Sequence, residues 1–175
     1  MKLYKIDFIK NIRFDEHLKV GEDAFFNVQM SEKIKKAVYL KESLYNYRIN
    51  TESVVKKFDR EYSNKYLKSM LKIQEYIYHK YKNNSEVLQN FYNYVAFHVM
   101  LIAVNYCYNP DNDEKNKIKN LAKVCEEPAF KKGIKNSNYK NLSITRKITL
   151  FTLKHRLYLL TSLICNIRQK QNRRT

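Results

Sequence analysis

Glycine and proline are scarce in this sequence, with two of each in 175 residues. A β-sandwich or barrel draws on both for its frequent tight turns, so their scarcity argues against a mainly β protein and for long helices. Cysteine is almost as rare. The three, at positions 107, 125 and 165, are odd in number and form no CxxC pair, which suggests neither a disulfide framework nor a zinc site and fits a reducing cytoplasm. His17, His79, His98 and His155 are scattered, and no two stand at the i,i+4 spacing that would aim two imidazoles at one metal. Acidic residues are missing from the last quarter: from Lys131 to Thr175 there are 12 Lys and Arg and no Asp or Glu. No apolar run reads as long enough to span a bilayer, and Asp7 interrupts what would be the core of a signal peptide.

What the chain does have is core material. With 44% apolar and 14% aromatic residues it is expected to fold, as one or two small domains. Its net charge of +17 sits mostly in the tail, since residues 1–60 hold 13 basic and 9 acidic groups and residues 61–130 hold 9 and 8. Such a field favours an anionic partner, a membrane surface or a polyphosphate.

Read along the chain, residues 2–4 suggest a short strand and residues 7–10 a helical turn. Gly21 offers a flexible entry to a helix that starts at Glu22 and Asp23, carries Ala24, Phe25, Val28 and Ile34, and runs to about Lys35. Ala37-Val38-Tyr39-Leu40 and Leu44-Tyr45-Asn46-Tyr47-Arg48-Ile49 read as two short strands around a Lys41-Glu42-Ser43 turn. From Phe58 the period is helical. Tyr62, Tyr66, Met70, Ile73, Ile77 and Tyr81 make one apolar stripe, and a second helix from Ser85 is apolar nearly all round between Phe91 and Tyr108. A charged helix from Asp113 to Cys125 follows, then breaks at Glu126-Glu127-Pro128 and Lys132-Gly133. A last helix from Ser143 to Arg168 carries Leu150, Leu153, Leu157, Leu160, Ile164 and Ile167.

One constellation carries chemistry. Sugar transfer to a hydroxyl needs a base for the hydroxyl proton, groups that hold the departing diphosphate, and usually a divalent metal. Asp23 suits the base, standing in the first helical turn where the macrodipole favours negative charge. Glu22 beside it would orient and support the acceptor or hydrogen-bond a neighbouring loop. Arg48 offers a planar guanidinium for bidentate contact with phosphate oxygens, and Ser53 a hydroxyl for the same diphosphate, with Tyr45 and Tyr47 walling the site. Taken alone, a Glu-Asp pair is an ordinary helix start and an Arg-to-Ser stretch an ordinary turn.

Taken in order, Lys2-Leu3-Tyr4-Lys5, Ile12-Arg13-Phe14-Asp15-Glu16, Gly21-Glu22-Asp23, Leu44-Tyr45-Asn46-Tyr47-Arg48 and Ser53 resemble the final third of the catalytic domain of bacterial family-2 glycosyltransferases. Those enzymes build capsular, exopolysaccharide, lipopolysaccharide or teichoic-acid glycans. The resemblance covers about residues 2–55. It implies a GT-A-type, inverting enzyme in which Asp23 is the catalytic base and Arg48 and Ser53 contact the nucleotide diphosphate. It also implies Mg²⁺ or Mn²⁺ on that diphosphate, held by an Asp-x-Asp motif. In the family that motif and the strand-helix nucleotide-binding unit precede the position of Lys2. Asp111-Asn112-Asp113 matches its letters only and reads as a capping turn.

The expected protein is therefore mainly α. Residues 1–57 would be the acceptor-side end of a GT-A-like domain, with a short β-hairpin and helix remnant, and residues 58–175 a C-terminal helical bundle with a basic tail. It would transfer a sugar from a nucleotide sugar to a cell-surface polysaccharide or glycolipid acceptor, as a fragment inactive alone whose N-terminal half is missing or is a separate chain. Its setting would be the cytoplasm, peripheral on the inner membrane face, with Lys131 to Thr175 as the membrane-facing segment. The rival reading is a non-enzymatic basic helical module that binds anionic membrane or nucleic acid. Nucleic acid is the weaker partner, because no zinc finger, helix-turn-helix or aromatic-glycine RNA motif accompanies the charge.

Overall fold

Helices account for all the regular structure among the described residues of the computed structural model, which are 3–43, 46, 58–112 and 115–172. The chain divides into two compact units, 1–57 and 58–175.

In the first unit, α1 (Ile6–Ile9) is one turn and α2 (Glu22–Ser31) is the main element. Ile12, Phe26 and Met30 form the buried cluster, with Tyr4, Phe8 and Ile9 packed on it. The Phe14 ring stacks on Phe26 at 4.4 Å, and Tyr4 meets the same ring edge-on at 5.9 Å. The Tyr4 hydroxyl donates to Asn27 Oδ1, so the segment before α2 is tied to the helix by both apolar and polar contacts. The helix stops four residues short of Lys35. Glu32 to Lys36 are all exposed, and no apolar contact there offsets the entropy of further ordering.

The expected hairpin and GT-A-type α/β remnant are not found. Leu3 and Tyr4 form no strand, nor do Ala37 to Leu40, and there is no strand anywhere among the described residues. The second arm, 44–49, falls outside them except for Asn46. The reason is visible at Val38 and Tyr39, which are 74% and 87% exposed. β-Propensity expresses fit to a half-buried pleated surface, and these side chains have no such surface to fit. The described chain is all-α.

The second unit is built on α3 (Tyr62–Tyr81) and α4 (Ser85–Ile102), which continues as a π-helical turn over Ala103–Cys107. Asn84 caps α4, its Oδ1 accepting from the Val87 N–H at 3.0 Å. The two helices run antiparallel, since their contacts pair rising with falling numbers: Tyr62 with Asn105 (3.2 Å), the Tyr66 ring with His98 (5.2 Å), Tyr78 with Tyr92 (3.1 Å). Met70, Ile73 and Ile77 of α3 face Phe91, Val95, Val99 and Ile102 of α4 as the buried core.

α6 (Pro128–Asn136) and α7 (Ile144–Lys154) pack on α4, and α5 (Lys117–Glu126) and α8 (Tyr158–Asn172) on its π-helical turn. The expected breaks at Pro128 and Gly133 instead start and run through α6: proline needs no N–H at a first helical position, and Gly133 lies inside the helix. The single last helix expected from Ser143 is two helices, separated at Arg156. Over Ser85–Cys107 the central helix is 23 residues with a window of mean hydropathy 1.3, long and apolar enough by length and composition to cross a membrane. That revises the reading of its apolar run as too short. Here it is the core helix, packed against α3, α6 and α7.

Candidate functional site

The N-terminus of α2 carries the candidate base. A turn in which Asp15 accepts from the His17 N–H (3.0 Å, Oδ1) and the Leu18 N–H (3.1 Å, main chain) leads into Gly21. Gly21 caps the helix with φ of 78°, a left-handed conformation that costs an L-residue roughly 1–2 kcal/mol, which is why glycine stands there. Its carbonyl accepts the first helical bond from the Phe25 N–H at 3.0 Å.

Glu22 and Asp23 then occupy the first turn, Glu22 half-buried and Asp23 exposed. The Ala24 N–H donates to Asp23 Oδ1 at 2.7 Å. Asp23 precedes Phe26, Asn27 and Met30 by three, four and seven residues, so it stands at the open end of the face that packs on Ile12. Asp23 is thus a solvent-facing carboxylate on a helix anchored by a buried cluster. Arg48 and Ser53, with Tyr45 and Tyr47, lie outside the described residues.

Among the described residues no three His, Cys, Asp or Glu side chains lie close enough together to hold a metal. Asp111 and Asn112 form a turn, with the Asp111 N–H donating to Asn109 Oδ1 (2.9 Å) and Asn112 Nδ2 to the Tyr106 carbonyl (3.0 Å). The three cysteines are buried and none is in a disulfide, and burial pushes Cys125 and Cys165 up to about 12, so neither is a nucleophile near neutral pH.

Sequence reading missed a cavity of about 290 Å³ where α5, α6 and the α7–α8 junction meet. Glu126 accepts from Lys131 Nζ at 2.6 Å and from Arg156 Nη2 at 2.7 Å, and those two cations hold its carboxyl below the usual range, Lys131 most strongly. Lys154 donates to the Lys135 carbonyl (3.2 Å) and the Ser137 carbonyl, and partial burial lowers its ammonium. Tyr158 is pushed up to about 12, chiefly by burial. These charges pair with each other and with the backbone, which is structural work. No local motif signals it, because Glu126 and Arg156 are thirty residues apart.

No protein-family model matches the chain. No solved structure matches it. Among curated proteins it is similar to the minor teichoic acid biosynthesis protein GgaB of Bacillus subtilis (strain 168), with 33% identity over 96 residues. That match covers 54% of this chain and 11% of GgaB, so the chain spans a small part of the relative's length.

Proposed function

We propose that this chain is the acceptor-side end and C-terminal helical part of a family-2 glycosyltransferase that acts in cell-envelope glycan synthesis. The observation that carries the reading is the Gly21-Glu22-Asp23 helix start, with glycine left-handed and Asp23 exposed in the first turn. The partial similarity to GgaB, by its name a protein of minor teichoic acid biosynthesis, points the same way, since teichoic-acid glycans are among the products of the enzymes the sequence resembles.

In this reading Asp23 accepts the proton of an acceptor hydroxyl as its oxygen attacks the anomeric carbon with inversion, and the nucleoside diphosphate leaves. Glu22 orients the acceptor, while Arg48 and Ser53 hold the diphosphate oxygens. The donor is a nucleotide sugar, and the acceptor is a glycan or lipid-linked glycan at the cytoplasmic face of the membrane. The nucleotide-binding unit with its Asp-x-Asp motif is supplied from outside these 175 residues, in the same polypeptide or a partner chain.

The test is transfer of labelled sugar from a panel of nucleotide sugars to membrane-extracted acceptor. The chain alone is expected to show no turnover, and the chain combined with a nucleotide-binding half to transfer one sugar. Absence of transfer from every donor by the combined protein contradicts the proposal.

A further inference from the structure

The last two helices each turn an apolar row away from the core. On α7 it is Ile144, Ile148 and Phe151, spaced i, i+4, i+7; on α8 it is Leu159, Leu163 and Ile167, with Leu160 beside them. Ile144 is 77% exposed, Leu159 71% and Leu163 61%. The core is served by the other sides of the same helices, where Leu150 and Leu153 of α7 and Thr161 and Cys165 of α8 are buried. Two adjacent helices that both keep branched aliphatic side chains in water mark a surface that something covers.

Charge decides what covers it. Residues 131–175 hold twelve basic groups and no acid, and Lys147, Arg168 and Lys170 are exposed on these two helices. Just upstream, the Glu126 carboxylate is engaged by Lys131 and Arg156. A second copy would set cation against cation. A nucleic acid would meet the cations and leave the leucines unburied. An anionic bilayer satisfies both, because the aliphatic rows enter the boundary between headgroups and acyl chains while Lys and Arg reach the phosphates.

We infer that α7 and α8 form a docking surface for anionic lipid, with Leu159, Leu163 and Ile167 as the inserted row and Lys147, Arg168 and Lys170 as its headgroup contacts. The inference is independent of the glycosyltransferase reading.

The test is co-sedimentation of the full chain with vesicles of phosphatidylcholine alone and of phosphatidylcholine mixed with phosphatidylglycerol. Affinity for the anionic vesicles is expected to be at least roughly tenfold higher and to fall with salt. Leu159→Ser with Leu163→Ser should lower it by roughly tenfold or more, with circular dichroism unchanged. Because the sequence has no Trp, Leu163→Trp gives a second readout that does not depend on weakening the helix: its emission should shift to the blue on anionic vesicles. Equal binding to neutral and anionic vesicles overturns the inference, as does an unshifted emission. A dimer that the double Ser variant dissociates assigns the row to a second copy, and single-stranded DNA binding tighter than vesicle binding and indifferent to the leucines assigns the charge to nucleic acid. Either result overturns it too.

Discussion

Gly133 of α6 lies so close to Val95 of α4 that a Cβ on it would stand 2.3 Å from Val95 Cγ1 and 2.6 Å from Val95 Cβ. Rotating the Val95 side chain cannot relieve the second contact, so the backbones themselves would have to part. This close approach seats α6 on the central helix, and Gln89 Nε2 fastens its end by donating to the Asn136 carbonyl at 2.9 Å.

Gly133→Ala is therefore expected to destabilise the protein even though alanine favours helix by about 1 kcal/mol, because overpacking a tight core costs roughly 1–3 kcal/mol. Urea titration should show a net loss. Adding Val95→Ala should make the double variant more stable than the sum of the two single effects predicts, and strict additivity would contradict the contact.

Arg156 ends α7 in a conformation usually given to glycine. Its φ is 58°, the Leu157 N–H donates to the Thr152 carbonyl at 2.8 Å, and the Arg156 N–H donates to the Leu153 carbonyl at 3.2 Å, the bond pair of a Schellman cap. The left-handed residue costs about 1–2 kcal/mol, which the solvent-screened pair with Glu126 does not offset. Arg156→Gly should thus leave thermal stability near or slightly above that of the parent, while Arg156→Ala, which keeps the strain and loses the pair, should lower it. Equal loss in both variants would contradict this balance.

Asp59 opens the second unit. Its Oδ1 accepts from the Glu61 N–H at 2.9 Å and its Oδ2 from Lys65 Nζ at 2.6 Å, and the Lys65 bond is the main cause holding the carboxyl below its usual range. A carboxyl whose folded value is lowered contributes stability that is complete above its unfolded value, about 3.9, and is lost as pH falls through the folded value. Because the pair is partly exposed, the contribution is no more than about 1 kcal/mol. Asp59→Asn should lower stability at pH 7 and pH 5 by the same amount, and the gap should close below about pH 4. A gap that widens in acid would contradict the assignment.

Much of the helical unit could be read from periodicity. The Tyr62 to Tyr81 stripe spans α3, though the helical period in the sequence begins at Phe58, and Ser85 with Glu86 marks the start of α4. The reading failed where a breaker serves packing: Pro128 and Gly133 look like interruptions, yet one begins α6 and the other fits it against Val95. It failed again where a fold-level turn lacks its usual residue. With Arg in place of Gly at 156, the Leu and Ile spacing runs on as one stripe, but the break changes the helix phase. Leu150 and Leu153 face the core, whereas on α8 the inward positions go to Thr161 and Cys165. Thr161 is accommodated by donating to Thr152 Oγ1 at 2.9 Å. The hairpin reading rested on β-branched and aromatic composition at 37–40, which without a surface to pack on specifies nothing. Of the candidate site, the helix start at Glu22 and Asp23 was legible because Gly21 and two acids are local signals.

The most direct test of the proposed chemistry is the turnover of Asp23→Asn in the protein that contains the nucleotide-binding unit, measured beside Glu22→Gln. Removing a general base should lower sugar transfer by roughly 10²- to 10⁴-fold with nucleotide-sugar binding retained, and Glu22→Gln should act mainly on the acceptor KM. Transfer by Asp23→Asn at the parent rate would contradict the account.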